Sequence, residues 1–393
     1  MSDLIGNHIK SYDVAVVGSG PAGSTSALYL AKKGLRVAII EKEYLPRHKT
    51  CGGGVIQRAL RLVKVDVSGA IERQCHTVHL VLQTPRLNFF VKRNTPIISM
   101  ASRKKFDYIL LTAAEDAGTD VYQGCRVTNV MPSAGRVKLL TTKGAIDARF
   151  VVAADGAMST VARKTGWKED RQLIPAIECD ISPDDEFLER VGKTARFDFG
   201  VVPSGYGWLF PKRGHVSIGV MSLRQSPLNL NRIFEVYLRN MGLEEALGAK
   251  RRGWVIPLSP RRDSFVKGRV LLTGDAAGLA DPFTGEGISL AILSGNMAAS
   301  AIIAGRLDEN QVKQHYELMI SRRILSELRL GRCLAGLAYR SPKAFNMALR
   351  LNGQRLIEAA TDVAMGISSY RRLLYNPVNY LKLLIPWGIS RRN

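Results

Sequence analysis

The stretch Gly18-Ser19-Gly20-Pro21-Ala22-Gly23 decides the fold, together with the apolar run Tyr12–Val17 immediately before it. The apolar run has the β-branched content of a buried strand. After the turn the chain is rich in Ala and Leu as far as Lys33, which predicts a helix. A second buried strand is predicted from Leu35 to Ile40 and ends at Glu41. The opening of the sequence therefore predicts a βαβ unit.

The glycines of this turn have the spacing of a dinucleotide-binding fingerprint, and an acid follows 23 residues after the first glycine. Gly18 permits the tight turn, Gly20 lets the backbone approach a pyrophosphate, and Gly23 allows close helix–strand packing. The helix N-terminus attracts the anion, and Glu41 can accept hydrogen bonds from a ribose hydroxyl. These residues predict a bound dinucleotide.

Two downstream motifs indicate which dinucleotide is bound. Arg269–Ala277 is predicted to be a strand ending in a carboxylate, and Pro282–Ile288 is a glycine-rich turn that opens a helix. They resemble the second FAD fingerprint of the glutathione-reductase-type flavoproteins. Between them and the first turn, Val151–Arg163 resembles the Asp-Gly motif of the flavin monooxygenase-like branch. Three motifs in this order predict FAD.

This resemblance implies roles for single residues. Asp275 holds a ribityl hydroxyl, and the turn from Gly285 to Ile288 aims backbone N–H groups and a helix dipole at the N1/O2 edge of the flavin. Arg103 matches an arginine at the start of the helix after the first insert, and Val127 matches the backbone position beside the adenine.

The segments between the motifs alternate polar and apolar residues, as in Thr77–Val91 and Arg196–Met221, and this pattern predicts antiparallel strands. The expected fold is α/β: a Rossmann-like FAD-binding domain of the glutathione-reductase type, an inserted antiparallel substrate sheet and a helical C-terminal region. Such an insert is typical of the p-hydroxybenzoate-hydroxylase-like fold. The expected division is residues 1–75, 100–170 and 266–304 for FAD, 76–99 and 171–265 for substrate, and 305–393 for the helical region.

Two local motifs narrow the family. Cys51-Gly52-Gly53-Gly54 falls where such folds run past the flavin, and Pro203–Pro211 fits PxxYxWxFP. With the FAD motifs, they make the chain similar to the geranylgeranyl reductase family over its full length. Flavin halogenases carry a related WxWxIP, which this sequence lacks. The resemblance implies an FAD-dependent enzyme that saturates C=C bonds in prenyl diphosphates or prenylated lipids.

The chemistry of such a reaction constrains the site. An isolated alkene is not polarised, so a hydride from the flavin must be accompanied by a proton from a weak acid in an apolar pocket. Tyr206, Trp208 and Phe210 alternate along a strand and are expected to form one wall. The candidate acids are Cys51 and Tyr206. Alternatively, the aromatic residues are sheet core and the thiol only packs.

The residues expected to contact FAD lie in the glycine-rich turns or at the matched motif positions. They are Gly18, Gly20, Ala22, Gly23, Glu41, Gly52, Gly53, Val55, Arg103, Val127, Asp275, Gly285, Gly287 and Ile288. In the loop before Cys51, Arg47 and Lys49 are candidates for FAD or substrate phosphates and His48 for a phosphate contact. A solvated loop is the alternative for all three.

Composition excludes several classes of protein. Hydrophobic residues make up 46% and charged residues 23% of the 393 residues, which excludes wholesale disorder and a fibrous repeat. The five cysteines never form a CxxC, which argues for a reducing compartment and against a disulfide scaffold or a cysteine-based zinc site. No metal site is predicted. No apolar run is long enough to span a membrane, and the start lacks a secretory signal, so a cytoplasmic location is expected.

The formal net charge of +22 implies a polyanionic partner, which is nucleic acid, an anionic membrane surface or a phosphorylated substrate. The alternative is a solvated basic face without a specific partner. Residues 321–393 hold 13 Lys and Arg against three acids, and Arg371–Tyr375 and Tyr380–Trp387 interleave basic, leucine and aromatic residues before Arg391-Arg392. This pattern suits the surface of an anionic membrane. The alternative is a helical region docked on the protein's own core. Nucleic-acid binding lacks any recognition motif.

Three functions remain open on the sequence alone. The first is a prenyl-chain reductase. The second is a flavin monooxygenase or halogenase-like oxidoreductase that acts on a hydrophobic substrate with O₂. The third is a non-catalytic electron-relay flavoprotein. Because there is only one dinucleotide fingerprint and FAD occupies it, electrons are expected from transiently bound NAD(P)H or from a ferredoxin.

Overall fold

A computed structural model describes residues 10–84, 86–224 and 228–375 of the chain. Its strands are β1 Lys10–Val17, β2 Val37–Ile40, β3 Gly54–Ile56, β4 Ile71–Cys75, β5 Thr77–Leu82, β6 Leu87–Lys92, β7 Ile98–Ala101, β8 Asp120–Tyr122, β9 Val127–Ser133, β10 Arg136–Thr141, β11 Gly144–Ala153, β12 Leu173–Ile181, β13 Thr194–Phe199, β14 Gly205–Pro211, β15 Val216–Ser222, β16 Arg252–Pro257, β17 Val266–Lys267 and β18 Val270–Leu272. Its α-helices are α1 Pro21–Ala31, α2 Gln57–Leu62, α3 Arg103–Asp116, α4 Thr160–Lys164, α5 Asp185–Val191, α6 Leu230–Asn240, α7 Gly274–Ala277, α8 Ile288–Ala304, α9 Glu309–Ile320, α10 Ser326–Arg340, α11 Pro342–Ala364 and α12 Tyr370–Tyr375.

The first sheet contains the predicted βαβ unit. Its strands run in the order β17-β18-β11-β1-β2-β8, and the β9–β10 hairpin pairs with β11. β1 lies parallel to β11 on one side and to β2 on the other, so Val14 faces both Phe150 and Val37. The strand interiors are fully buried and apolar, as expected of a parallel sheet covered on both faces.

The glycine turn after β1 is set by backbone contacts. Gly18 has φ +98°, and a Cβ there would lie 2.5 Å from the carbonyl oxygen of Ala154. A Cβ on Gly23 would lie 1.9 Å from the carbonyl oxygen of Gly18. A Cβ on Gly295 of α8 would lie 2.2 Å from the carbonyl oxygen of Ala22. Only glycine therefore permits α1 to pack this closely on its own turn and on α8.

The second sheet has seven strands in the order β16-β12-β15-β14-β13-β5-β6. Neighbours are antiparallel except for β13 and β5, which lie parallel. β5 and β6 come from the insert before α3, and the other strands come from residues 173–257. A small third sheet, β3-β7-β4, links the two large sheets along the chain.

In the described part of the C-terminal region, α9 packs on α8 beside the first sheet, and α11 packs on β6 of the second sheet. α11 is interrupted at Asn352, whose φ of −143° is not helical. A Cβ on the next residue, Gly353, would lie 2.2 Å from the Phe89 ring of β6. Arg93 forms an ion pair of 2.9 Å with Asp362. Residues 342–375 are thus docked on the core, as in the second interpretation of the sequence.

The remainder of the basic tail, including Tyr380, Lys382, Trp387 and Arg391-Arg392, lies outside the described residues. Within the described part, no helix has both the length and the apolar character needed to cross a membrane.

Candidate active site

A cavity of about 990 Å³ lies where the carboxyl ends of β1, β2, β11 and β18 face the second sheet. In α/β sheets, ligands bind at this edge. Most of the residues predicted to contact cofactor or substrate line this one cavity. They are Gly18, Gly20, Ala22, Glu41, Cys51, Gly52, Gly53, Arg103, Val127, Tyr206, Trp208, Phe210, Asp275, Gly285, Gly287 and Ile288.

Two predicted contact residues do not line the cavity. Gly23 lies behind the turn and packs α1 against Gly18. Val55 is fully buried on β3, within the apolar core that also contains Met100 and Phe106. Any contribution of these two residues to a ligand is therefore indirect.

At one end of the cavity, the N-terminus of α1 meets Glu41. An ideal Cβ on Gly20 has no atom within 4 Å, so this position is open. The Glu41 carboxylate accepts hydrogen bonds from Ser19 N at 2.9 Å, Ser19 Oγ at 2.7 Å and Glu43 N at 2.9 Å. A carboxylate has about four acceptor sites, so one remains for a ribose hydroxyl.

The Asp-Gly motif closes the same end. Asp155 accepts hydrogen bonds from Ser159 Oγ at 2.6 Å and Val161 N at 3.0 Å, and Ser159 in turn caps α4. Burial raises the pKa of Asp155, although these hydrogen bonds oppose the shift. The motif holds the start of α4 beside the glycine turn.

The second fingerprint lies further along the cavity. A Cβ on Gly287 would lie 3.5 Å from Oδ1 of Asp275, so the glycine turn and the aspartate are neighbours. The backbone carbonyl of Asp275 accepts a hydrogen bond of 2.5 Å from Arg171. α8, which has 17 residues, begins at Ile288 with its N-terminus on the cavity. This geometry suits a polar, electron-rich ring edge.

Cys51 lies at the centre of the cavity and is half-buried. Its sulfur accepts a hydrogen bond of 3.4 Å from Gly53 N. Arg103 is buried and binds both carboxylate oxygens of Asp107 at 2.9 Å. Burial alone would lower the pKa of Arg103, but Asp107 and a side-chain hydrogen bond with Cys51 raise it. The thiol therefore lies beside a fixed positive charge.

Glu178, which the sequence analysis missed, also lines the cavity. Its Oε1 accepts a hydrogen bond of 2.6 Å from the backbone N–H of Cys51. Burial raises the pKa of Glu178 to about 7. A signal was present in the sequence, because strand alternation puts Glu178 on the same face of β12 as the buried Ile174 and Ala176.

The aromatic wall is formed as the PxxYxWxFP pattern predicts. The Tyr206 and Trp208 ring centroids are 6.3 Å apart, and those of Trp208 and Phe210 are 6.4 Å apart. The Tyr206 hydroxyl donates to the Thr284 carbonyl at 2.5 Å, and burial raises its pKa. Trp208 Nε1 is buried and has no hydrogen-bond partner among the described residues, and a Cβ on Gly52 would lie 2.9 Å from it.

The basic loop before Cys51 also lines the cavity. Arg47 forms an ion pair of 3.4 Å with Asp107. Lys49 lies over the Trp254 ring at 4.5 Å, and burial lowers its pKa. Burial and the charge of Arg252 lower the pKa of His48. The loop is therefore part of the site wall.

A second group missed in the sequence comes from the C-terminal helices and α2. The cavity is also lined by Arg58, Ile357, Ala360, Thr361, Val363, Ala364 and Tyr370. Arg58 bonds Ser289 Oγ at 3.0 Å and lies 3.3 Å from Glu286, beside the glycine turn. The Tyr370 hydroxyl donates to Asp281 at 3.0 Å. Helical periodicity alone does not show that this face of α11 meets the cavity.

The residues present fit FAD. The space left by Gly20, the remaining acceptor site on Glu41 and the turn beside Asp275 match the pyrophosphate, ribose and ribityl parts in order. Beyond them, Trp208 lines the same cavity, and its buried indole N–H has no hydrogen-bond partner among the described residues. Gly52 and Gly53 are tight positions, because a Cβ would lie 2.9 Å from Trp208 and 2.4 Å from the Ala101 carbonyl oxygen.

Comparison with known proteins agrees with this fit. Residues 11–305 match the family model described as FAD binding domain. The chain is 30% identical over 359 residues to digeranylgeranylglycerophospholipid reductase 2 of Methanothermobacter thermautotrophicus, covering 83% of this chain and 88% of that protein. It is 30% identical over 339 residues to the chloroplastic geranylgeranyl diphosphate reductase of Oryza sativa, covering 80% of this chain and 70% of that protein.

Solved structures show the same fold. A geranylgeranyl bacteriochlorophyll reductase-like protein of Thermoplasma acidophilum superposes with a TM-score of 0.76 at 25% identity, covering 97% of this chain and 98% of that one. The flavin-dependent brominase Bmp2 superposes with a TM-score of 0.68 at 20% identity, covering 90% and 95%, and shares the fold alone. The predicted α/β fold with an FAD-binding part and a helical C-terminal region is confirmed. The chain belongs to the geranylgeranyl reductase family of FAD-dependent oxidoreductases.

Proposed function

We propose that this protein saturates C=C bonds of a prenyl chain carried by a diphosphate or a lipid. The observation that carries the proposal is the shape of the cavity, which continues from the FAD motifs into an apolar compartment between the second sheet and α11. Its walls there are Val78, Leu80, Ile98, Phe197, Phe199, Met221, Ile357 and Val363. Such a compartment suits a long hydrocarbon chain.

Bound FAD, once reduced, supplies a hydride. The protein's own residues hold the chain against the cofactor and deliver a proton to the second alkene carbon. Tyr206 is the weaker acid of the two candidates, because its hydroxyl proton is engaged by the Thr284 carbonyl and burial raises its pKa. Cys51 is half-buried and lines the cavity, so its thiol can meet a bound chain. We therefore assign the proton transfer to Cys51.

The polar head of the substrate requires positive charge. Lys49 and His48 line the cavity, and Arg252 and Lys212 interact electrostatically with His48. This basic group is the proposed site for a phosphate head, since clustered Lys and Arg side chains bind phosphate oxygens. The relatives named for a diphosphate and for a phospholipid substrate are both compatible with such a head.

An exposed stripe on α11 supports contact with an anionic membrane. Lys343, Met347, Arg350 and Leu351 lie at helical spacing on one face, and Met347 and Leu351 are each 64% exposed. Apolar side chains flanked by cations suit a negatively charged headgroup layer, where prenyl lipids reside. We propose peripheral binding through this stripe, aided by the basic tail.

The division of labour along the chain is part of the proposal. Residues 1–75, 100–170 and 266–304 bind FAD, and residues 76–99 and 171–265 form the substrate sheet. Residues 305–393 are the helical basic region, of which described residues between 357 and 370 line the cavity. Electrons come from NAD(P)H bound transiently or from a ferredoxin.

The test is an anaerobic single turnover with photoreduced enzyme. Geranylgeranyl diphosphate and a digeranylgeranylated glycerophospholipid are supplied, and products are analysed by mass spectrometry. We expect a gain of two hydrogen atoms for each bond reduced. Unchanged mass with both substrates, or a product that gains oxygen only when air is admitted, would overturn the proposal and favour the monooxygenase alternative. An Asp275→Ala variant depleted of FAD serves as the control.

A further inference from the structure

Glu178 is a buried carboxyl group in the cavity wall whose presence neither the FAD motifs nor the aromatic wall explains. We propose that Glu178 resupplies the proton to the Cys51 thiol between successive bond reductions, an inference that rests on the prenyl reductase function proposed above. It thus acts through Cys51 and does not itself contact the alkene.

The position of Glu178 carries the argument. The residue is 7% exposed, lies on β12 and faces the cavity. Oε1 accepts the 2.6 Å hydrogen bond from Cys51 N, so the carboxyl group lies against the cysteine. Across the described residues, no protein group donates to Oε2. Burial disfavours the ionised form of this carboxyl group, so its protonated form is favoured.

The charges around Glu178 keep its proton available. Burial and Asp180 raise its pKa to about 7, whereas the Cys51 N–H, Lys212 and Arg103 oppose the shift. An acid with this pKa is half protonated near neutral pH, which suits repeated proton donation. The charged or titratable groups on the elements packed around it are Cys51, Arg103, Asp180, Lys212 and Arg252.

The proton balance closes for each reduced bond. A hydride from reduced FAD forms a C–H bond at one alkene carbon, and the proton of the Cys51 S–H forms a C–H bond at the other. The thiolate left behind lies beside Arg103 and takes the O–H proton of Glu178 through an intervening water, since the carboxyl group contacts the backbone N–H of Cys51. The Glu178 carboxylate then regains a proton from water. Before each further bond, FAD is reduced again by the electron donor proposed above.

The competing explanation is that Glu178 only holds the Cys51 loop through its hydrogen bond. Glu178→Gln separates the two, because the amide oxygen can still accept from Cys51 N but the side chain cannot titrate. Glu189→Gln, an exposed residue of α5, is the matched control.

The first readout needs no turnover. Oxidised holoenzyme is alkylated with iodoacetamide across a pH series, and modification is measured at Cys51 and at the exposed Cys333 by peptide mass spectrometry. Because a negative Glu178 disfavours a neighbouring thiolate, the Cys51 rate should show an inflection near pH 7. We expect Glu178→Gln to abolish that inflection, while Cys333 and the Glu189→Gln control remain unchanged.

The second readout is the rate of geranylgeranyl diphosphate reduction against pH over repeated turnovers, with dithionite restoring the reduced FAD. The protonated form of Glu178 is the active one, so the rate of the second and later reductions should fall as pH rises above about 7. In Glu178→Gln, the rate should not fall in this pH range, and the second and later reductions should be slower by about 10²-fold or more.

The outcomes separate the two proposals. The role of Glu178 is overturned if the Cys51 alkylation rate of the wild type shows no inflection near pH 7. It is also overturned if the inflection remains in Glu178→Gln. This first measurement on the wild type stands even if the variant does not fold. Failure to reduce any prenyl substrate, with the inflection present and lost in the variant, overturns the proposed function instead and leaves the Glu178–Cys51 coupling established.

Discussion

The cavity has one half against the first sheet and another half against the second sheet, and different kinds of residue determine the shape of each. On the first-sheet side, the wall is backbone, and the decisive residues are those without a side chain, because a Cβ on Gly18 or Gly23 would collide with a carbonyl oxygen. On the second-sheet side, the wall consists of side chains such as Phe199, Trp208 and Ile357, which come from distant parts of the chain. Substitutions should therefore act on folding and cofactor retention in the first half, and on catalysis and substrate in the second.

The largest expected effect concerns catalysis. Cys51→Ser keeps the size of the side chain but replaces the acidic thiol with a far weaker acid. We expect the single-turnover reduction of a prenyl substrate to slow by about 10²- to 10⁴-fold, with FAD content and thermal stability unchanged. An equal rate would demote the thiol to packing, and loss of FAD would contradict the contrast between the two halves.

The next effect is on folding. Gly23→Ala places a methyl group where a carbonyl oxygen lies 1.9 Å away, so the free energy of unfolding should fall by about 3 kcal/mol. Gly20→Ala, which meets no protein atom within 4 Å, is the matched control. The apo form of that control should unfold at the wild-type urea concentration but bind FAD more weakly. If both variants unfold alike, the glycines do not have the separate roles assigned to them.

A smaller effect is expected at the second fingerprint. Asp275→Ala removes a charged acceptor from the proposed ribityl site and should weaken FAD binding by roughly 1.5–3 kcal/mol. Fluorescence titration of the apo protein with FAD measures the change. The purified wild type should be yellow with non-covalently bound FAD. If Asp275→Ala combined with Gly20→Val retained full colour and stoichiometry, the assigned FAD site would be wrong.

A membrane-binding experiment tests the exposed stripe on α11, which lies on the outside of the second-sheet half. Neutralising Lys343 and Arg350 together should reduce the free energy of binding to anionic liposomes by about 2 kcal/mol at low salt, since each cation contributes about 1 kcal/mol. Sedimentation with the liposomes measures the change. Raising the ionic strength should release the wild type in the same way. Binding to neutral liposomes should be weaker throughout. Equal binding to both kinds of liposome would contradict an electrostatic contact.

The smallest effect is expected where α12 meets the first half. Tyr370→Phe removes the hydroxyl that donates to Asp281 at 3.0 Å and should lower the free energy of unfolding by about 1.5 kcal/mol. Hydrogen exchange should rise in α12 before it rises elsewhere. Protection that remained unchanged would show that other contacts hold this helix.

The first half could be predicted from the sequence because its constraints are local. The turn at Gly18 and the acid at Glu41 each lie beside a strand end, so their spacing predicted them. The turn at Gly285 was predicted from its resemblance to the second FAD fingerprint. Val55 was the exception, because adjacency to the Gly52–Gly54 run does not show which way a strand residue points.

The second half could be predicted only where an alternating pattern marked one face, as along β14. Glu178 and the α11 face were missed for two reasons. Glu178 is a lone acid on a strand, and its neighbour Cys51 lies 127 residues away in sequence. The burial of α11 depends on the approach of Gly353 to Phe89, a long-range contact that helical periodicity does not reveal.

The hydrogen bond between Tyr370 and Asp281 also bears on how the protein matures during synthesis. β1 emerges from the ribosome before β11 and has no partner on one side until β11, around Phe150, has been synthesised. The loop at Asp281 lacks its hydrogen-bond donor until Tyr370, 89 residues later in the chain, has been synthesised. Domains fold as units once their contacts are available. FAD is therefore enclosed only after α12 has been translated, and a nascent chain truncated before α11 should not retain flavin.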